Sequence, residues 1–208
     1  MADATFTEAL LTDVAAALDR LEKERTQSHM RDLVRTTFAA IEGAAWIFRE
    51  HVIDVANSTY GLLPDEEAAL SETSHQVSLQ GKVSPQTRFI PLPNGIRLVA
   101  RISKRLSLDH EIDFSTANWD LFLQAIEIRN RITHPKSNHD LRLTQSDIDS
   151  CLNALFWFMS ETTDAMQATN IAARQYLGEL GDVFWKLKNG DPATVALYKA
   201  ISRKLDSN

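Results

Sequence analysis

The sequence predicts an all-α protein, an antiparallel helical bundle with one irregular insertion. Three observations carry this. Gly and Pro are sparse, seven and six in 208 residues, so long stretches run without a helix breaker. Those present are concentrated: Gly61, Pro64, Gly81, Pro85, Pro91, Pro93 and Gly95 share one stretch, which puts the insertion at about residues 73–93. Elsewhere apolar residues recur at spacings of four and three, the repeat of a helix face in a bundle.

The elements follow in order. Phe6, Leu10, Val14, Leu18 and Leu21 form the apolar stripe of a first helix. Val34, Phe38, Ile41, Ala45, Phe48, Val52 and Val55 form a longer one, spaced 4, 3, 4, 3, 4, 3, the seam of a bundle helix. Pro64 followed by Asp65, Glu66 and Glu67 starts a short helix, with acids at the positive end of its dipole. Residues 73–93 are polar and turn-rich; they are compatible with a small hairpin, and the expected form is an ordered loop. Asn94 is the expected N-cap of a helix bearing Ile96, Leu98, Val99, Ile102 and Leu106. The next helix runs from about Ala117 to Thr133 and is stopped by Pro135. Thr144 and Asp147 resemble a capping box for a helix with Ile148, Leu152, Leu155, Met159, Thr162 and Met166. Beyond about Ala173 the helix is expected to break near Gly178 and Gly181, and a last helix follows Asp191-Pro192. The chain thus reads as a single domain, 1–208, with a core over about 27–173 and a helical C-terminal extension over 174–208.

Composition bounds the function. Hydrophobic residues make up 44% and charged residues 24%, the balance of a globular chain. A lone cysteine, Cys151, excludes an internal disulfide framework and a Cys-based zinc site, and fits a reducing cytoplasm. The start, MADATFTEALL, has no basic and apolar leader pattern, so no signal peptide is expected. No apolar run approaches the roughly 20 residues of a membrane helix. The net charge is −6, but it is uneven: −8 over residues 1–72, +4 over 73–143 and −2 over 144–208. A local basic segment can hold phosphate inside an acidic chain, because ions screen distant charge within about 10 Å. The unevenness is equally what solvated helix faces produce.

The chemistry concentrates in residues 119–142, WDLFLQAIEIRNRITHPKSNHDLR. On a helix, Phe122, Ile126, Arg129 and Thr133 share one stripe; Leu121, Ala125, Ile128 and Ile132 form a second. Two apolar faces call for cover on two sides, one from the bundle and one that a partner chain would supply. Arg129 stands where an apolar residue is expected, and its guanidinium, which cannot shed its charge, needs an anion. His134 precedes Pro135 and so ends the helix, where the dipole favours imidazolium. A fixed cation, a group exchanging protons near neutral pH and the amide of Asn130 are parts suited to cleaving a phosphodiester without metal.

The segment IRNRITHP resembles the Arg-x4–6-His motif of the HEPN superfamily (higher eukaryote and prokaryote nucleotide-binding domains). The resemblance covers roughly residues 94–166 and implies a HEPN-like antiparallel bundle. It also implies a metal-independent endoribonuclease leaving 2′,3′-cyclic phosphate and 5′-hydroxyl ends, as in toxin–antitoxin and antiphage systems. On that resemblance Arg129, Asn130 and His134 are the catalytic residues. The partners are RNA, a second copy forming a composite active-site cleft, and an antitoxin or regulatory protein. A second Arg–His pair at motif spacing, Arg105 and His110, lacks the following Asn and the helix-stopping Pro.

Each residue also fits a plainer role. Arg129 suits a structural ion pair, His134 a helix cap and Asn130 a loop bond. Glu127 stands four before Arg131, the spacing of a helix salt bridge, and seven before His134, whose ring it could orient. Arg131 and Lys136 suit either phosphate contact or surface charge. The stripe Arg97, Arg101, Lys104 and Arg105 suits either a solvated face or an RNA track. His134 and His139 lack a third ligand at suitable spacing, so no metal is expected, and no cofactor motif is present. His51 reads as surface or interface; Trp46, Trp119, Trp157 and Trp185 read as core or interface. The rival to the ribonuclease is a non-catalytic helical nucleotide-binding or adaptor module.

Overall fold

The structure is a computed structural model that describes residues 5–205. The expected domain's first four residues and the extension's last three lie outside them. Among the described residues the chain is mostly helical: α1 (Phe6–Lys23), α2 (Gln27–Ser58), α3 (Pro64–Leu70), α4 (Leu92–Leu106), α5 (Ala117–Thr133), α6 (Gln145–Lys188) and α7 (Pro192–Leu205). Two short strands, β1 (Thr73–Val77) and β2 (Val83–Thr87), lie between α3 and α4. No described helix is long and apolar enough to cross a membrane.

The helix starts carry their caps. Thr5 and Glu8 exchange hydrogen bonds at α1, and Thr144 and Asp147 do the same at α6, each satisfying N–H groups that the helix leaves unpaired. The Leu63 N–H donates to the Glu66 carboxylate at 2.9 Å, and Pro64 occupies the first turn of α3.

α2 is the spine, about 48 Å long at 1.5 Å per residue. α1 packs along it, α6 lies against both α2 and α5, and α4 crosses α2 and α6. The seam read from the sequence is the core: Val34, Phe38, Ile41, Phe48, Val52 and Val55 are all buried. One cluster joins the first half of α2 to α1, α5 and α6. A second joins its later half to α3, α4 and Ala165 of α6. Phe114 and Trp157 touch both clusters and make them one continuous interior.

Four expectations are corrected. Residues 73–93 contain an antiparallel hairpin rather than a loop, paired from Thr73–Thr87 to Val77–Val83. Gly81, at φ 75°, closes its turn, and Pro85 is tolerated because each strand of a two-stranded sheet is an edge. Asn94 is not the N-cap of α4: the helix starts at Leu92 after Pro91, whose carbonyl accepts the Asn94 N–H at 2.9 Å. α6 does not break at Gly178 or Gly181; it runs 44 residues as one helix. Each interior Gly costs only about 1 kcal/mol relative to Ala, too little to stop a helix with no Pro in it. Finally, most of the second apolar stripe of α5 is covered within this chain: Ala125, Ile128 and Ile132 are buried in its core and Leu121 is half-buried.

Candidate functional site at the end of α5

α2 fixes the end of α5 with one row of polar side chains. The Gln27 amide holds the Leu143 backbone twice, donating to its carbonyl and accepting from its N–H, both at 2.8 Å. One turn on, Arg31 donates to the Leu141 carbonyl at 3.0 Å; one turn further, Arg35 donates to the Ile132 carbonyl at 3.4 Å. Arg35 meets a carbonyl that the end of α5 leaves unpaired, and Arg31 one in the turn beyond it. Glu42 continues the row and binds the Arg129 guanidinium.

His134 is the C-cap of α5, its N–H donating to the Asn130 carbonyl at 3.0 Å. Beyond it, Asp140 accepts from the N–H groups of Lys136 and Ser137, both at 2.8 Å. The Lys136 bond foremost holds this carboxyl below its usual range. The turn is therefore shaped by its own charge rather than by packing. Asn130, Arg131, His134, Lys136 and Asp140 line an open depression of about 550 Å³, and the His134 side chain is exposed in it.

Arg129 takes the other side. Its guanidinium binds Glu42, donates to Asn130 Oδ1 at 3.0 Å and lies 5.9 Å from the Phe38 ring centre. It does not line the depression; Asn130 links the two, touching Arg129 and facing the hollow. Arg131 donates to the Arg142 carbonyl at 3.0 Å and sits 3.4 Å from Asp147. The expected Glu127–Arg131 pair is absent among the described residues, because Asp147 at the start of α6 takes the guanidinium. Glu127 is exposed, with no bond to His134.

The basic stripe of α4 is not part of this site. Arg105 pairs with the buried Glu66 at 2.6 Å and donates to the Gly61 carbonyl at 3.1 Å. Lys104 pairs with Glu111, and Arg97 lies 4.7 Å from the Phe114 ring centre. Arg101 is exposed. His110, the other motif-spaced histidine, faces Glu161 at 3.8 Å. Trp119 is buried and Trp157 packs on the core, whereas Trp46 and Trp185 are 55% and 66% exposed. Among the described residues no group of three His, Cys, Asp or Glu could hold a metal.

Sequence reasoning missed Glu42, Arg31, Arg35 and Asp140. For the first three a signal existed. Gln27, Arg31, Arg35 and Glu42 follow at spacings of 4, 4 and 7, one face of α2 beside its apolar seam. Asp140 carried none, since its role depends on the turn it closes.

No family model, no curated protein and no solved structure matches the chain.

Proposed function

We propose that this chain is a metal-independent endoribonuclease of HEPN type, with a HEPN-like bundle and a toxin or antiphage role. The observation that carries it is the exposed imidazole of His134 at the carbonyl end of α5, sharing an open hollow with Asn130, Arg131 and Lys136. The neighbouring cations attract a phosphodiester.

In the reaction, neutral His134 takes the proton of a ribose 2′-hydroxyl as that oxygen attacks the adjacent phosphorus. The bond from phosphorus to the 5′-oxygen breaks, and the imidazolium returns the proton to that oxygen. The products are a 2′,3′-cyclic phosphate and a 5′-hydroxyl. Arg129, released from Glu42 by the arriving phosphate and steadied by Asn130, offsets the charge growing on the phosphoryl oxygens. In the dimer this reading implies, two such sets share one cleft.

The test is incubation of the purified chain with total RNA in EDTA beside His134→Ala, with product ends mapped. Cleavage that survives EDTA and falls by about 10²- to 10⁴-fold in the variant is expected. Cleavage at the parental rate in His134→Ala overturns the mechanism. A second reading, a non-catalytic nucleotide-binding or adaptor module, is favoured by one observation: Arg129 already has its anion in Glu42. It predicts RNA or nucleotide binding with no cleavage by either protein.

A further inference from the structure

α2 and α4 leave a hollow on the Arg129 side of the candidate site. Phe48 of α2, Leu70 of α3, and Ile96 and Val99 of α4 wall a cavity of about 170 Å³. An apolar cavity of about 150 Å³ takes benzene, so this one has room for a ring. Gly95 keeps it open: a Cβ there would reach only Ile90 Cγ2, at 3.8 Å. Glycine is unfavourable inside a helix, and no close neighbour requires it here. Trp46 also lines the cavity and is 55% exposed, its plane set by the Phe6 ring 6.1 Å away at 76°.

Three charged residues complete the lining. Arg49 is spent on Glu50 and on the Leu70 carbonyl. Glu42 is shared, since the same side chain binds the Arg129 guanidinium. Glu72 keeps a free acceptor: Oε1 takes the Ile90 N–H at 3.0 Å, and Oε2 has no partner among the described residues. Glu72 sits at φ 48°, a conformation uncommon outside glycine, and its carbonyl takes the Arg88 N–H at 2.7 Å. The β1–β2 insertion thus closes on Glu72 and holds its carboxylate at the cavity.

We propose that this cavity is a base-binding subsite that takes one unpaired nucleobase of the RNA, guanine by preference, against Trp46 and the Glu72 carboxylate. The proposal rests on the ribonuclease reading and deepens it by naming the base. Continuity with Arg129 selects the occupant. In a nucleotide the base hangs one sugar from the phosphate, so a phosphate on Arg129 leaves a flanking base beside Glu42 and the cavity behind it. The lining selects the base. An exposed aromatic ring is the platform on which unstacked RNA bases sit. A carboxylate only accepts hydrogen bonds, and it accepts two in parallel. Guanine alone of the four bases sets two donors side by side on its pairing edge, N1–H and the 2-amino group. Uracil sets one N–H between two carbonyls, which the carboxylate repels. An aliphatic ligand would leave Glu72 unmatched, and an anionic one would be repelled by it.

The test uses the His134→Ala chain, which prevents cutting, and labelled octanucleotides of uridine with and without one central guanosine. Free guanosine and uridine are titrated beside them by calorimetry. The guanosine octamer is expected to bind about tenfold tighter than the uridine one. Glu72→Gln retains the acceptor for the Ile90 N–H and is expected to erase that ratio. Trp46→Ala is expected to weaken both octamers by about tenfold. Far-ultraviolet circular dichroism is expected to be unchanged in both, because neither side chain is in the core. Equal affinity for the two octamers overturns the subsite and leaves the ribonuclease reading standing. A preference that survives Glu72→Gln also overturns it, because the base is then read elsewhere. Guanosine bound in preference to uridine with neither octamer bound keeps the cavity as a guanine site and overturns the ribonuclease reading. Binding of none of the four probes overturns both.

Discussion

Arg129 decides between catalysis and scaffolding by which anion it holds. Its side chain is 31% exposed and that of Glu42 48%, so the pair sits in partly screened surroundings where an arriving phosphate can compete for the guanidinium. Glu42→Gln keeps an acceptor and removes the competing charge. In a His134→Ala background, which prevents cutting, it is expected to tighten RNA binding at low salt. The slope of log affinity against log salt should steepen by about one counterion. An unchanged slope would make the pair structural. Cys151 offers no chemistry to compete with the site, since burial foremost pushes its thiol up to about 12.

At the scale of elements, α4 illustrates how a basic stripe can be spent internally. The Glu66 carboxylate is 3% exposed, and Arg105 supplies its countercharge across the gap between α3 and α4. Arg105→Ala leaves a buried carboxylate without a cation. Removing one partner of a fully buried pair costs about 3–5 kcal/mol, and solvent screening of the partly exposed Arg105 lowers this to about 2 kcal/mol. Urea unfolding is expected to register that loss while RNA affinity stays within twofold of the parent. A large loss of affinity with stability intact would return Arg105 to an RNA track. The α5–α6 turn works differently: Gln27, Arg31 and Arg35 pin it to α2, so α2 positions the site and also supplies the groups around Arg129, Glu42 and the Phe38 ring.

At the scale of the whole molecule, α2 and α6 are joined at a polar point within the second half of their packing. His51 Nε2 lies 2.9 Å from Thr169 Oγ1, and Thr169 is fully buried. Burial foremost lowers the His51 pKa from its ordinary 6.5, against the opposing effects of Asp54 and a hydrogen bond to the Met166 backbone. A value lowered on folding means the native state favours the neutral ring. Its contribution to stability is therefore present above pH 6.5 and lost as pH falls through the lowered value. Thermal midpoints measured from pH 8 down to pH 5 are expected to drop more in the parent than in His51→Gln. Parallel profiles would remove His51 from the acid response.

The sequence by itself determined the helical class, the seam of α2, the span of α5 with His134 at its end, and the starts of α3 at Pro64 and of α6 behind Thr144. These are local matters of spacing, capping and the proline restriction, legible within a few turns of chain. Arg129, Asn130 and His134 were legible as residues of one helix end for the same reason, but not as one cluster, since only Asn130 and His134 line the hollow. Tertiary structure decided what each of them touches. Glu42 lies 87 residues from Arg129 and meets it only because α2 crosses the end of α5. The same packing took Arg105 from the basic stripe, covered most of the second stripe of α5 from within the chain, and left apolar side chains of α6 and α7 exposed. A side chain's partner depends on which elements burial brings together, and burial is set by the whole chain at once.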